Sequence, residues 1–87
     1  MELILYTKPG CHLCEGLHEK LEQIQGLNLV LEVRDITNSE DWWQAYQYEV
    51  PVLCCKISGK EQPLPRPSPR LTVQQLVQML QKYIPGN

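Results

Sequence analysis

The sequence has no long hydrophobic run and no excess of positive charge. No apolar stretch approaches the roughly 20 residues that a membrane-spanning helix needs, so we expect no membrane partner. Eight lysines and arginines stand against ten acidic residues, and the net charge of −2 provides no electrostatic reason to bind nucleic acid. The N-terminus also lacks the basic segment followed by apolar residues that marks a secretory leader. We therefore expect an unprocessed, cytoplasmic protein.

The composition is that of one small folded domain, which we expect to cover residues 1–87. Apolar residues make up 43% of the chain and charged residues 21%, which is ordinary globular composition. Four cysteines are many for a chain of this size in a reducing compartment. Since no leader is present, redox or metal chemistry explains them better than a disulfide framework. The cysteines are Cys11, Cys14, Cys54 and Cys55.

Hydrophobic spacing divides the chain into strands and helices. A continuous apolar run over residues 3–6 predicts a strand buried on both faces. A helix follows, with one apolar stripe, and Gly26 is predicted to end it. Asn38 or Ser39 can cap a second helix, and Thr72–Gln75 forms a capping box for a last helix. The apolar stripe of the first helix is Leu13, Leu17, Leu21 and Ile24, and the second strand, over 27–36, has Leu29, Leu31 and Val33 on one face. The third strand is predicted over 52–57, a hairpin turn over 58–60 and the fourth strand over 61–64. The last helix is predicted to continue through Ile84 and to end at Pro85-Gly86.

This order predicts a small α/β sandwich with a mixed four-stranded sheet and about three helices. The first three strands are separated by helices, so we expect right-handed crossovers to make them parallel, with the hairpin adding an antiparallel strand. Prolines recur at every second position over residues 63–70, the proline-rich loop. Because known proline-rich ligands space their prolines differently, we interpret this loop as a stiff connector.

Cys11 and Cys14 lie three residues apart where the first strand turns into the first helix. A helix N-terminus carries about half a positive charge and several unpaired N–H groups, which stabilise a thiolate. The pKa of a thiol there falls from about 8.5 into a range of roughly 3.5–7.5. We expect Cys11, the more exposed, to be the nucleophile and Cys14 the resolving thiol. Lys8 and a protonated His12 would add positive charge nearby.

A zinc site is the alternative for the same cysteines, and it needs two further ligands. Adjacent residues on a strand point to opposite faces, so Cys54 and Cys55 do not easily chelate one ion together. His12 or His18 could complete a site that uses only one of them. Without metal, one of Cys54 and Cys55 should face the core as a small hydrophobe, and the other could be a secondary thiol open to glutathionylation.

Three features together resemble the glutaredoxin-like branch of the thioredoxin superfamily, and most of all its small proteins of about this length. They are Cys-x-x-Cys after a first buried strand, Lys8-Pro9-Gly10 before it, and Val50-Pro51 before a later strand, and the match covers about residues 2–84. The resemblance implies a thioredoxin-like three-layer sandwich of order βαβαββα. It implies a cis Val50–Pro51 bond, with Pro51 against the cysteine pair and the backbone groups of Val50 free to pair with a thiol peptide or glutathione. It also implies that Lys8 pairs with a substrate carboxylate.

The chain departs from the glutaredoxin pattern at three places, one of which is Glu49, where glutaredoxins often carry Thr. His12-Leu13 stands between the cysteines where glutaredoxins usually have Pro-Tyr. The Gly-Gly and Asp that grip glutathione near the last helix are missing, and residues 66–72 occupy that stretch. Arg66 and Arg70 in it could bind a carboxylate as forked donors or remain solvated.

The residues and the resemblance together predict an enzyme of electron transport, a glutaredoxin-like thiol–disulfide oxidoreductase. Cys11 and Cys14 are the predicted catalytic residues, and Lys8, His12, Val50 and Pro51 the predicted substrate-binding residues. We expect no tightly bound cofactor or metal, glutathione as a candidate co-substrate, and a monomer. The expected partners are disulfide-containing proteins or glutathione, with a thioredoxin-type reductase. The alternative is a non-catalytic thioredoxin-fold binding module or a zinc or iron–sulfur carrier.

Overall fold

The structure, a computed structural model, describes residues 1–83 as a four-stranded mixed sheet between helices. The strand order across the sheet is β2-β1-β3-β4, and the order along the chain is the predicted βαβαββα. None of the helices in residues 1–83 is long and apolar enough to cross a membrane. The elements are β1 (Glu2–Thr7), α1 (His12–Glu22), β2 (Val30–Asp35), a 3-10 turn (Ile36–Asn38), α2 (Glu40–Tyr46), β3 (Val52–Ile57), β4 (Lys60–Pro63) and α3 (Val73–Gln81).

Strand β1 lies inside the sheet and supplies both hydrophobic cores. Its side chains alternate between the two faces, as the period of a strand requires. Leu3 and Leu5 enter the core under α1 and α3, while Ile4 and Tyr6 enter the core under α2. All four are at most 3% exposed, which confirms the prediction of a strand buried on both faces.

The two cores define the three layers of the sandwich. The first core lies between the sheet and helices α1 and α3, and it consists of leucines with one cysteine. The second lies between the sheet and α2, and it includes aromatic side chains and the inner cysteine of the pair. The first contains Leu3, Leu5, Leu17, Leu21, Leu53, Cys55, Leu64, Leu76 and Leu80; the second contains Ile4, Tyr6, Cys14, Ile36, Val50 and Cys54, with Trp42, Trp43 and Tyr46 packed against it.

The direction of β3 differs from the prediction. Strand β2 is parallel to β1, as expected, but β3 is antiparallel to β1, with Val52 opposite Tyr6. The seven residues of α2 rise only about 10 Å, whereas a six-residue strand is about 20 Å long. The helix of this connection thus covers only about half the length of a strand. Strand β3 begins at the end of the sheet where β1 finishes.

Helix boundaries follow the predicted caps, with small differences. Ser39 caps α2 and the Thr72–Gln75 capping box opens α3, as predicted. Helix α1 ends at Glu22, before Gly26, and Leu13 of its predicted stripe is 50% exposed. Helix α3 ends at Gln81, with Lys82 as its C-cap, which is earlier than the predicted continuation through Ile84. The predicted stop at Pro85-Gly86 lies outside the described residues.

Strand β2 and the hairpin also differ slightly from expectation. Strand β2 begins at Val30 rather than at residue 27. Because it is an edge strand, Val33 of the predicted buried face is 42% exposed. Ser58 and Gly59 join β3 to β4 with φ values of +52° and +78°. Two left-handed residues in a two-residue loop form the hairpin turn whose twist matches the strands.

Candidate functional site

The turn between β1 and α1 places Cys11 at the start of the helix. Gly10 has a φ of +77°, a left-handed conformation that glycine adopts without steric cost. The backbone N–H of Cys11 donates to the Lys8 carbonyl (3.3 Å), which closes the turn. Cys11 is the N-cap residue of α1, and its Sγ accepts a hydrogen bond from the backbone N–H of Cys14 (3.2 Å). The sulfur of Cys11 therefore occupies the position of a helix-capping acceptor.

Cys11 and Cys14 are joined by a disulfide, with their Cα atoms 5.2 Å apart. Cys14 is 2% exposed and lies in the second core, whereas Cys11 is only partly buried. An incoming sulfur can therefore reach the pair from the Cys11 side. The relative exposure of the two cysteines is as predicted.

The peptide bond between Val50 and Pro51 is cis, as the resemblance implied. Val50 is 8% exposed and packs in the second core, where Cys14 is buried and Cys11 is packed at the margin. The antiparallel direction of β3 brings Val50 to the end of the sheet at which the cysteine pair lies. A parallel β3 would begin at the opposite end of the sheet from Cys11.

The backbone groups of Val50 are not free, which corrects the prediction. The Val50 N–H donates to the carbonyl of Tyr46 (3.1 Å), in the turn that ends α2. The Val50 carbonyl accepts from Nη2 of Arg66 (3.2 Å), which reaches it from the proline-rich loop. The sequence analysis predicted that Arg66 either binds a carboxylate or remains solvated. In the structure it binds a backbone carbonyl instead.

The two basic residues near the pair have different surroundings. Nζ of Lys8 donates to the carbonyl of Gln47 (3.0 Å), so this side chain links the turn before Cys11 to the loop before Val50. The side chain of His12 is 94% exposed, with Nδ1 at 3.6 Å from the carboxylate of Glu15. A role for either in substrate binding stays a prediction.

Cys54 and Cys55 are both buried, each 1% exposed, and neither forms a disulfide. They lie on opposite faces of β3, one in each core, as the strand period requires. The hypothesis that one of them is an exposed secondary thiol is wrong, because α2 and α3 cover the two faces. Burial raises the pKa of both thiols. Within residues 1–83 no three His, Cys, Asp or Glu side chains are grouped so that they could hold a metal ion.

A groove between α1 and the proline-rich loop opens beside the cysteine pair, and sequence reasoning missed it. Its volume is about 230 Å³. The one signal for it in the sequence was Gly16 inside the helical pattern, whereas Leu13, predicted in the apolar stripe of α1, has a half-exposed side chain. The groove is lined by His12, Leu13, Gly16, Leu17, Lys20, Pro51, Arg66, Pro67, Ser68, Pro69, Leu71 and Leu76.

A polar cluster on the α2 face, also missed, links three strands of the sheet. The Tyr6 hydroxyl donates to the carboxylate of Glu61, and Nη1 of Arg34 donates to both the Tyr6 oxygen (2.8 Å) and Glu61 (3.2 Å). The Arg34 guanidinium also lies 5.1 Å from the ring centre of Trp42. Burial, together with the bond to Glu61, raises the pKa of Tyr6. The cluster satisfies the only polar atom of a tyrosine that is 3% exposed.

Three solved structures share the fold over nearly the whole chain. One is a structural genomics target protein from X. campestris, at 28% identity and a TM-score of 0.63, covering 92% of this chain and 96% of that one. Thioredoxin 1 from the thermophilic eubacterium Thermosipho africanus TCF52B is 16% identical, with a TM-score of 0.68 and coverage of 95% and 93%. A malarial protein is 15% identical, with a TM-score of 0.66 and coverage of 95% and 96%. A search of curated proteins finds no match.

The family comparison agrees with the geometry of the site. The profile described as "Glutaredoxin-like domain (DUF836)" matches residues 2–81, which include the cysteine pair, the cis proline and all of α3. The solved structures and the mixed sheet show a thioredoxin-like fold. The chain belongs to the glutaredoxin-like (DUF836) family.

Proposed function

We propose that this protein is a thiol–disulfide oxidoreductase that cycles between a Cys11, Cys14 dithiol and the disulfide seen in the structure. One observation carries the proposal: the Cys11 sulfur caps α1 and accepts the Cys14 N–H at 3.2 Å, while Cys14 is buried directly behind it. In the reduced protein the same N–H and the helix dipole would stabilise negative charge on the Cys11 sulfur. A stabilised thiolate is the nucleophile that disulfide exchange requires.

The exchange has two steps. The Cys11 thiolate attacks one sulfur of a substrate disulfide; a Cys11–substrate bond forms, the substrate bond breaks, and the other substrate sulfur leaves as a thiolate that takes up a proton. Cys14 then loses its proton and attacks the Cys11 sulfur, which forms the Cys11–Cys14 bond and releases the second substrate thiol. The substrate gains two electrons from the protein and two protons, one released by Cys14 and one taken from the solvent, which received the proton of Cys11 when its thiolate formed.

The partners that complete this cycle are also part of the proposal. A thiol reductant, either two molecules of glutathione or a thioredoxin-type reductase, supplies the two electrons that return the pair to the reduced form. The proposed setting is the cytoplasm, where such reductants keep thiols reduced. We propose disulfide-containing proteins or glutathione disulfide as substrates, and a monomer as the active form.

Two cysteine variants test the mechanism. Cys11→Ser should abolish reduction of disulfides, because it removes the accessible nucleophile and the remaining Cys14 is only 2% exposed. Cys14→Ser should stop the cycle after the first step and accumulate a mixed disulfide on Cys11, detected by mass spectrometry after incubation with lysate. Cys55→Ala is the matched control, since it removes a buried thiol outside the turn and should retain activity. A Cys11→Ser protein with full disulfide-reductase activity would eliminate the proposal.

A second candidate, a non-catalytic binding module, is favoured by the occupied backbone of Val50. Both its N–H and its carbonyl are already bonded within the chain, to Tyr46 and Arg66. A module would bind partners without exchanging disulfides. The Cys14→Ser protein distinguishes the two functions, because a module would trap no mixed disulfide on Cys11.

A further inference from the structure

The groove beside the cysteine pair has one wall from α1 and the other from the proline-rich loop. On the helix, the lining positions lie on one face, at 12, 16 and 20 and at 13 and 17. On the loop, Pro67 and Pro69 face them, and Leu76 of α3 also contributes. Most of the lining is apolar carbon. The groove begins at the residues between the two cysteines and at Pro51, so a ligand in it lies next to the exchanging sulfurs.

Gly16 stands at the middle of the helical wall. Glycine is costly inside a helix, and the backbone here is helical rather than left-handed, so no local conformation requires it. A methyl group at this position would have no heavy atom within 4 Å outside its own helix. The chain thus keeps open space over the helix backbone, in the groove, where a larger side chain would fit without a clash.

The charged residues that line the groove are all basic. Lys20 and Arg66 contribute cations and His12 an imidazole, while no carboxylate is among the lining residues. Nζ of Lys20 donates to the Pro69 carbonyl (2.7 Å) and Arg66 donates to the Val50 carbonyl, which together hold the loop wall in place. An ammonium has three donors and a guanidinium five, so each keeps donors beyond these bonds. The groove therefore complements a ligand that is apolar with an acidic group.

We propose that this groove binds an extended segment of a protein substrate, with a bulky apolar side chain near the disulfide cysteine and an acidic residue further along. The inference rests on the proposed function, and it assigns substrate selection to the groove instead of to the Val50 backbone. Lys20 lies nine residues after Cys11, about 13 Å along the helix axis. An extended peptide rises about 3.3 Å per residue, so the acidic residue lies about four positions from the cysteine. Gly16 leaves room for the apolar side chain.

Short peptides linked as disulfide dimers test the proposal against the reduced protein. The first peptide carries Leu two positions and Glu four positions from the cysteine, and the second has Ser and Gln in their place. Each peptide is made in two versions, one with these residues before the cysteine and one with them after it. Stopped-flow rates with the wild-type protein should be at least tenfold higher for the Leu and Glu peptide in one of the two chain directions. The proposal would be overturned if the two peptides reacted at equal rates in both chain directions, or if oxidised glutathione were reduced faster than the Leu and Glu peptide.

Substitutions in α1 test whether the groove causes the difference in rate between the two peptides. Gly16→Leu fills the groove and should bring the rate ratio of the two peptides close to one. Glu19→Leu, which adds the same side chain to an exposed position outside the groove, should keep the wild-type ratio. Lys20→Gln should lower the rate ratio of the two peptides only in part, because the preference for Glu is lost while the preference for Leu remains. If Gly16→Leu does not fold, Gly16→Ala serves instead: it should raise the melting temperature and lower the ratio several-fold.

The outcomes separate this inference from the proposed function. Exchange with both peptides at one rate, or a wild-type ratio in both Gly16 variants, would overturn the groove and leave disulfide exchange standing. No exchange with either peptide or with oxidised glutathione would overturn the proposed function, and the groove assignment with it.

Discussion

Arg66 and Val50 are joined by a hydrogen bond from Nη2 to the carbonyl oxygen, 3.2 Å long, which ties the proline-rich loop to the residue before Pro51. Arg66→Gln should lower the free energy of unfolding by about 0.5–1 kcal/mol, the usual net contribution of such a bond. Urea denaturation measures this. Arg70→Gln is the control, because Arg70 lies in the same loop with an exposed side chain. Equal stabilities of the two variants would show that the bond contributes nothing.

The buried thiols should be inert in the native protein. Iodoacetamide at pH 8 should alkylate Cys11 in the reduced protein, while Cys54 and Cys55 react only after urea is added. Both are 1% exposed and burial raises the pKa of both, so little thiolate is present and none of it is accessible. Peptide mapping by mass spectrometry identifies the modified positions. Labelling of either buried cysteine at the rate of an unfolded thiol would contradict the burial.

The stability of the protein should depend on the ionisation of Glu61. The hydrogen bond from Tyr6 and the bond and charge of Arg34 lower the pKa of this carboxyl. A lowered folded-state pKa contributes stability above the unfolded value of about 4.3, and this stability is lost as the pH falls through the folded-state pKa. Between pH 5 and pH 3 the wild type should therefore lose more stability than Glu61→Gln, by a modest margin because the side chain is 38% exposed. Urea titrations at several pH values, with Glu49→Gln as control, make the comparison; parallel curves for wild type and Glu61→Gln would refute it.

The β3–β4 hairpin should become more stable with asparagine at its turn. Ser58 has a φ of +52° beside Gly59, and asparagine tolerates the left-handed region better than serine does. Ser58→Asn should raise the free energy of unfolding, measured in urea. Ser58→Val, a β-branched residue at the same φ, should lower it. A gain in stability with valine would mean that the turn has another conformation.

Features that depend on short stretches of sequence were predicted well. The apolar run of β1, the cap at Ser39 and the capping box at Thr72 are confirmed because each is specified by residues within one or two turns of chain. The cysteine pair at a strand-to-helix turn was found for the same reason. The cis bond at Pro51 was available only from the family resemblance.

Features that depend on distant parts of the chain were predicted poorly. The direction of β3 depends on where the chain enters the sheet after α2, and hydrophobic spacing does not report this position. The bonds to Val50 come from Tyr46 and Arg66, the second sixteen positions away, and the pattern of neither segment reveals them. The groove joins α1 to a loop 50 residues later, so only Gly16 hinted at it.

The central position of β1 has a consequence for the motions of the protein. This strand is hydrogen-bonded on both sides and covered on both faces, so its amide hydrogens should exchange with solvent only when the whole domain opens. The chain passes from it to Cys11 through a turn of a few residues. The reactive sulfur is thus attached to the part of the molecule that opens least often. Cys11 should therefore stay in place when the proline-rich loop moves.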